Sequence, residues 1–243
     1  MSKQLAQKQE TALAAPAHKP RGFDNFTTDD IVIPRLRLLQ ALSGAVSDGK
    51  GVVGDFQDSL TEENLGTSIE VVLLGMKNGA VYFQVGKGMV CKSNDGITSM
   101  NGDACIKCPF NEYHGRFHED GTPPKCSSSK EFMAVTRATT QGKETRPLAV
   151  SFIKSSYPVG KKIATMARLS NEDIFAWSYI VSSVKTKNEK GAYAKMDVKK
   201  GEHLSKEEMV EAERWYNIFD NSKVIVSDNE LDDSFDTKTF DSI

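Results

Sequence analysis

The chain has 243 residues, 39% of them hydrophobic and 26% charged, with a formal net charge of −2. That length holds one large domain or two small ones. No apolar run approaches the roughly 20 residues that span a bilayer, and Met1 to Lys8 lack the apolar core of a secretory signal. The expectation is a chain that does not enter a membrane and works in a reducing cytoplasm. The near-neutral total hides a segregation of charge. Residues 1–22 carry four basic residues and one acidic, residues 125–200 fifteen basic and six acidic, and residues 221–243 two basic and six acidic.

In chain order, residues 1–22 are rich in Lys, Gln, Ala and Pro without a sustained apolar face, and read as a flexible basic arm. Order is expected to begin with the extended segment Ile31 to Leu39, where Pro34 suggests a sheet edge. Gly44 to Gly51 nearly spells a phosphate-binding loop. Gly51 stands where the metal-holding Ser or Thr belongs and no helix follows, so a glycine-rich turn is the reading. Ile69–Gly75 and Ala80–Val85 are strand candidates, with Lys77-Asn78-Gly79 as hairpin turn chemistry between them.

Cys91, Cys105, Cys108 and Cys126, all the cysteines of the chain, then fall within one loop-forming stretch. Cys105-Ile106-Lys107-Cys108-Pro109 is a knuckle that aims two sulfurs at one point. A segment so poor in apolar residues needs a staple, and four thiolates around one tetrahedral Zn²⁺ supply roughly 10–16 kcal/mol. Two disulfides would suit a small secreted chain, and a redox CxxC would leave Cys91 and Cys126 unexplained. His114 or His118 could replace one thiolate. Four protein ligands make a closed, structural site, one ion per chain.

Phe132–Ala138 and Leu148–Lys154 are the next strands, joined by a polar turn at 140–143. Residues 156–169 suit a short helix with Pro158 near its start and Ile163, Met166 and Ala167 on its apolar face. Residues 174–186 form the strongest strand pattern, one face reading Phe175, Trp177, Tyr179, Val181. After a turn at Asn188 to Gly191 comes the strand Tyr193–Val198. Ser205-Lys206-Glu207-Glu208 is a capping box opening a helix from about 206 to 219. The fold class is therefore mainly β, an OB-like five-stranded barrel with a four-cysteine zinc-loop insertion at 91–126 and one or two helices.

No catalytic constellation stands: there is no His-Glu-x-x-His, no Gly-x-Ser-x-Gly and no dinucleotide fingerprint. The expectation is a protein that is not an enzyme. Binding has positive support, because the 125–200 segment interleaves its cations with rings. Single-stranded nucleic acid calls for both, cations along the phosphates and rings for stacking. The candidate contacts are Arg137, Arg146, Lys154, Tyr157, Lys161, Lys162, Trp177, Tyr179, Lys185, Lys187, Tyr193 and Lys195. Alternation places Trp177, Tyr179, Lys185, Tyr193 and Lys195 on comparable faces. That aromatic row equally suits a barrel core.

The chain ends Asp228-Asn229-Glu230-Leu231-Asp232-Asp233-Ser234-Phe235-Asp236-Thr237-Lys238-Thr239-Phe240-Asp241-Ser242-Ile243. This acidic, aromatic-bearing end, behind a basic β module, resembles the single-stranded DNA-binding proteins of tailed phages and bacteria. One phage group of these helix-destabilising proteins also carries a zinc-stapled loop, with mixed His and Cys ligands where this chain has four cysteines. This chain also ends in Ile243 where many relatives end in phenylalanine. The resemblance implies an OB-like domain over 23–220 and a disordered tail over 221–243. It also implies coating of single-stranded DNA in phage replication and recombination, within the host cytoplasm. Asp232, Asp233, Phe235, Asp236 and Phe240 would then recruit replication or recombination proteins, and a homo-oligomer would fit cooperative coating. The alternative is a zinc-containing adaptor or inhibitor that binds a host replication or transcription enzyme.

Overall fold

The computed structural model describes residues 32–41, 43–84, 88–110, 125–188, 191–221 and 225–226. Its strands are β1 (Val32–Ile33), β2 (Leu36–Leu38), β3 (Phe56–Asp58), β4 (Asn64–Gly66), β5 (Ser68–Gln84), β6 (Gly88–Ser93), β7 (Cys126–Thr136), β8 (Pro147–Ile153), β9 (Trp177–Asn188), β10 (Gly191–His203) and β11 (Ile225–Val226). The helices are α1 (Gly44–Ser47), α2 (Arg137–Thr140), α3 (Tyr157–Leu169) and α4 (Lys206–Asn221). One antiparallel sheet dominates, in the order β10-β9-β5-β7-β8, with β6 also paired to β5. β2, β3 and β4 form a small second sheet, and β1 pairs with β11 in parallel.

The mainly β class holds. The OB-like barrel does not appear, because β10 and β8 stand at opposite ends of the sheet and no closed barrel exists among the described residues. The sheet is instead covered on both faces. Val71, Leu73, Phe132, Val150, Phe152, Tyr179 and Val181 pack beneath α3 and the small sheet. Val72, Leu74, Val135 and Ala149 pack beneath α4, with Ala212 at the contact. Alternate residues of the same strands thus serve two cores, each fully buried Leu or Phe stabilising by about 1.5–3 kcal/mol.

The expected hairpin at Lys77-Asn78-Gly79 is a correction. β5 runs straight through it, and these three residues pair with Glu131, Lys130 and Ser129 of β7. The glycine serves close packing instead of a turn: a Cβ at Gly79 would lie 2.6 Å from Ser129 Oγ and 2.9 Å from the Ser93 carbonyl oxygen. A bulge between Leu73 and Gly75 shifts the register of β5 against β7. Phe175 also departs from the expected row. Residues 174–176 form a 3₁₀ turn, which puts Phe175 in the α4-side core while Tyr179 and Val181 face α3.

Both expected helices form. α3 has its proline in the first turn, and Ile163 is fully buried. α4 opens with the capping box: the Glu208 N–H donates to Ser205 Oγ (3.2 Å) and the Ser205 N–H to Glu208 Oε2 (2.9 Å). α4 runs to Asn221, and Ile225 and Val226 of β11 pair with β1. Among the described residues, no helix is long and apolar enough to cross a membrane.

Candidate metal centre and nucleic-acid interface

The cysteines gather at one end of the main sheet. Cys91 of β6 and Cys126 of β7 are both register partners of Tyr82, one on each side of β5. Directly opposed residues share a face, so Tyr82 stands between the two thiols. Cys105 and Cys108 lie on a 3₁₀ knuckle whose Cys108 N–H donates to the Cys105 carbonyl at 3.0 Å. The Cys105 N–H donates to the Ile97 carbonyl at 2.7 Å, and the Cys126 N–H to the Phe110 carbonyl at 2.9 Å. These bonds hold the knuckle against the turn that follows β6 and against the start of β7.

All four thiols are free. The Cα atoms of Cys91 and Cys126 are two strand spacings apart, about 9–10 Å, which is too wide for a disulfide. Burial pushes the Cys126 thiol up to about 11, and the neighbouring Cys91, Cys108 and Cys105 push the same way. Burial raises Cys91 as well, followed by Cys105 and Cys108. Four thiols on one end of the sheet are a soft donor set of the kind that zinc takes. The spacing is looser than a chelate: among the described residues no three His, Cys, Asp or Glu side chains converge closely enough to hold an ion. His114 and His118 lie outside the described residues.

The predicted nucleic-acid contacts divide. Arg137 is committed to Glu202 (2.8 Å), Glu70 (2.9 Å) and Glu208 (3.2 Å), tying the sheet to the start of α4. Arg146 meets Glu63 at 2.6 Å, Glu144 at 3.5 Å and Asp58 at 3.7 Å. Both guanidinium groups serve the fold. Tyr179 is 1% exposed and belongs to the α3-side core, a second correction to the expected stacking row. Trp177 is half-buried, its indole N–H donating to Glu172 at 2.5 Å and Lys200 Nζ lying 3.3 Å from its ring centroid.

The face assignment is corrected too. Lys185 pairs with Ala194 and Lys187 with Ala192, whereas Tyr193 and Lys195 oppose Thr186 and Val184. Lys185 and Lys187 therefore point to the α3 side of the β9–β10 ribbon, and Tyr193 and Lys195 to the other. None of these three lysines has a carboxylate partner among the described residues.

A tighter basic cluster surrounds the start of α3. Gly160 lets the helix approach the sheet, since a Cβ there would lie 2.7 Å from Lys130 Cβ and 3.0 Å from Phe152 Cβ. Lys161 Nζ lies 5.0 Å over the Tyr157 ring. Lys130 Nζ donates to Asn78 Oδ1 at 2.5 Å. Burial, and then the Lys161 charge, hold the Lys130 ammonium below the ordinary lysine value. Lys154 takes φ +50° at the corner between β8 and α3, and burial lowers its ammonium likewise. Lys162 is partly engaged, donating to the Val198 carbonyl at 2.8 Å and lying 3.5 Å from Asp197.

The same sheet face continues along β5 from Asn78 to Tyr82. There the Phe110 ring stacks on Tyr82, with centroids 5.1 Å apart and planes 26° apart, and Phe110 is 42% exposed. Lys125 Nζ lies 5.6 Å from the Phe110 centroid. The tail residues Asp232, Asp233, Phe235, Asp236 and Phe240 fall outside the described residues.

The family model for Pam3 phage gp34-like protein matches residues 4–225. The chain belongs to this phage protein family. No curated protein and no solved structure matches it. In this gp34-like chain the sequence reading missed Tyr82, Phe110, Lys125 and Lys130. Phe110 stands two residues after the CxxC knuckle and Lys125 just before Cys126, so the cysteine spacing was the signal that could have found them. Tyr82 was hidden by the mistaken hairpin.

Proposed function

We propose that this gp34-like chain is a single-stranded DNA-binding protein of phage replication or recombination, indifferent to sequence, with Zn²⁺ on its four cysteines as a structural staple. The observation that carries the reading is the sharing of one sheet face by Lys130, with Lys161 close to it, and by the Tyr82–Phe110 ring pair. Phosphates would follow the lysines and bases would meet the rings. The acidic residues after Val226 would engage replication or recombination proteins.

Fluorescence anisotropy with a labelled dT oligomer over a salt series tests this. Binding should weaken linearly in log–log salt, and Lys161→Glu should flatten the slope by roughly 0.7 per lost phosphate contact, on every sequence alike. No binding at low salt would defeat the proposal. Metal analysis of protein purified without added zinc should find one ion per chain. Two disulfides and no metal would defeat the zinc assignment.

A second reading, an adaptor or inhibitor of a host replication or transcription enzyme, is favoured by one observation. α4 exposes Val210 (68%) and Ile218 (39%), eight residues apart on one helical stripe. Protein capture without oligomer binding would select it.

A further inference from the structure

The ring pair and the cysteines interleave. Tyr82 is flanked in register by Cys91 and Cys126. Phe110, which stacks on Tyr82, follows Cys108 by two residues, and its carbonyl accepts the Cys126 N–H. Phe110 is 42% exposed, and the apolar Ile106 and Met100 of the same stretch are exposed too, at 72% and 63%. The backbone that carries the thiols also carries the ring, through the Cys108–Phe110 segment and the Cys126 bond to the Phe110 carbonyl. Whatever fixes the four sulfurs therefore fixes the stack.

We propose that the cysteine lobe is a base-stacking platform, in which Phe110 on Tyr82 receives one unpaired base and the metal's role is to hold that platform in register. The inference rests on the single-stranded DNA reading and deepens it. One face of Phe110 is taken by Tyr82, and Lys125 hovers over the ring at a distance that makes only a weak cation–π contact. An incoming base displaces the ammonium and takes the ring face. The displaced Lys125 is then placed for the adjoining phosphate. From there the strand continues along β5 toward Asn78 and Lys130, four residues or about 13 Å away, roughly the reach of two nucleotides. The lobe is thus the end of the same track as the α3 cluster.

The test uses the full chain and a dT oligomer carrying one 2-aminopurine, whose fluorescence falls on stacking. Wild-type protein should quench the probe. Phe110→Ala should bind about tenfold more weakly with an unchanged salt slope, and should lose the quench. Phe110→Leu, which keeps the apolar bulk without a ring, should behave the same and so exclude a packing effect. Stripping zinc with a chelator should reproduce the loss, and stripping it from Phe110→Ala should cost nothing more, because one element is then removed twice. If Phe110→Ala binds and quenches as wild type does, or if the two losses simply add, the platform is overturned while the strand-binding reading stands. If wild-type protein binds no oligomer, both fall.

Discussion

At Gly160 two preferences oppose each other. An alanine in mid-helix is favoured over glycine by about 1 kcal/mol, but here its methyl would meet Lys130 Cβ at 2.7 Å and Phe152 Cβ at 3.0 Å. Neither atom is the free end of a flexible side chain, so α3 itself must move, and overpacking of this kind costs about 1–3 kcal/mol. The packing cost wins. Gly160→Ala is expected to lower stability by about 1–2 kcal/mol in urea unfolding. It should also weaken oligomer binding, because α3 carries Lys161. A stabilised variant would show that the helix has room to spare. The sequence marks Gly160 only as a poor helix former. Its value lies in neighbours 30 residues before it and 8 residues before it, which no local pattern displays.

Among the elements, those written locally were legible and those that depend on distant partners were not. α4 announces itself through Ser205 and Glu208, and the structure adds that Glu208 also accepts from Arg137 and Gln141. The edge of β10 shows the opposite case. Its outward backbone groups are covered by side chains, Gln40 exchanging two hydrogen bonds with Ala194 and Ser156 Oγ accepting from Met196 N–H. Such covering blunts a long edge strand against pairing with another chain, and a partner 154 residues away leaves no trace in sequence. The β5 error has the same root: Asn-Gly is turn chemistry locally, and only pairing with β7 overrules it. Glu208 also yields a pH prediction. Burial pushes its carboxyl up, but the Ser205 N–H, Gln141 and Arg137 outweigh that and hold it below the ordinary glutamate value. A depressed carboxyl contributes stability that is present above its unfolded-state value near 4.5 and is lost as pH falls through its folded value. Urea midpoints should accordingly fall as the medium is acidified below about pH 4.5. Glu208→Gln should cost on the order of 1–3 kcal/mol at pH 7 and show a flatter acid decline. An equally steep decline in the variant would assign the acid sensitivity to other carboxylates.

Across the whole molecule, charge is arranged in blocks that the strand order keeps apart from the hydrophobic layers. Residues 125–200 hold fifteen Lys and Arg against six acids, and residues 227–243 hold six acids against one lysine. Arg137 and Arg146 are neutralised within the fold, which leaves the lysines around α3 and along β9–β10 to answer the acidic end. In the absence of DNA that end should be drawn to the same lysines that would take phosphates, and the two anions should compete. The place to cut is set by β11: removing residues from 221 onward would strip a strand that pairs with β1, so truncation after Val226 keeps the fold. The truncated chain should bind dT oligomer more tightly at low salt, by about 1–2 kcal/mol, the scale of a few solvated charge pairs. The attraction acts between exposed groups, so the gain should shrink as the screening length falls from about 10 Å at 0.1 M salt to about 3 Å at 1 M. Phe235 and Phe240 would be free to dock on a partner once DNA displaces the acids, and the truncated chain should lose that recruitment. Weaker oligomer binding by the truncated chain, with its urea midpoint unchanged, would mean that the acidic end assists DNA binding instead of competing with it.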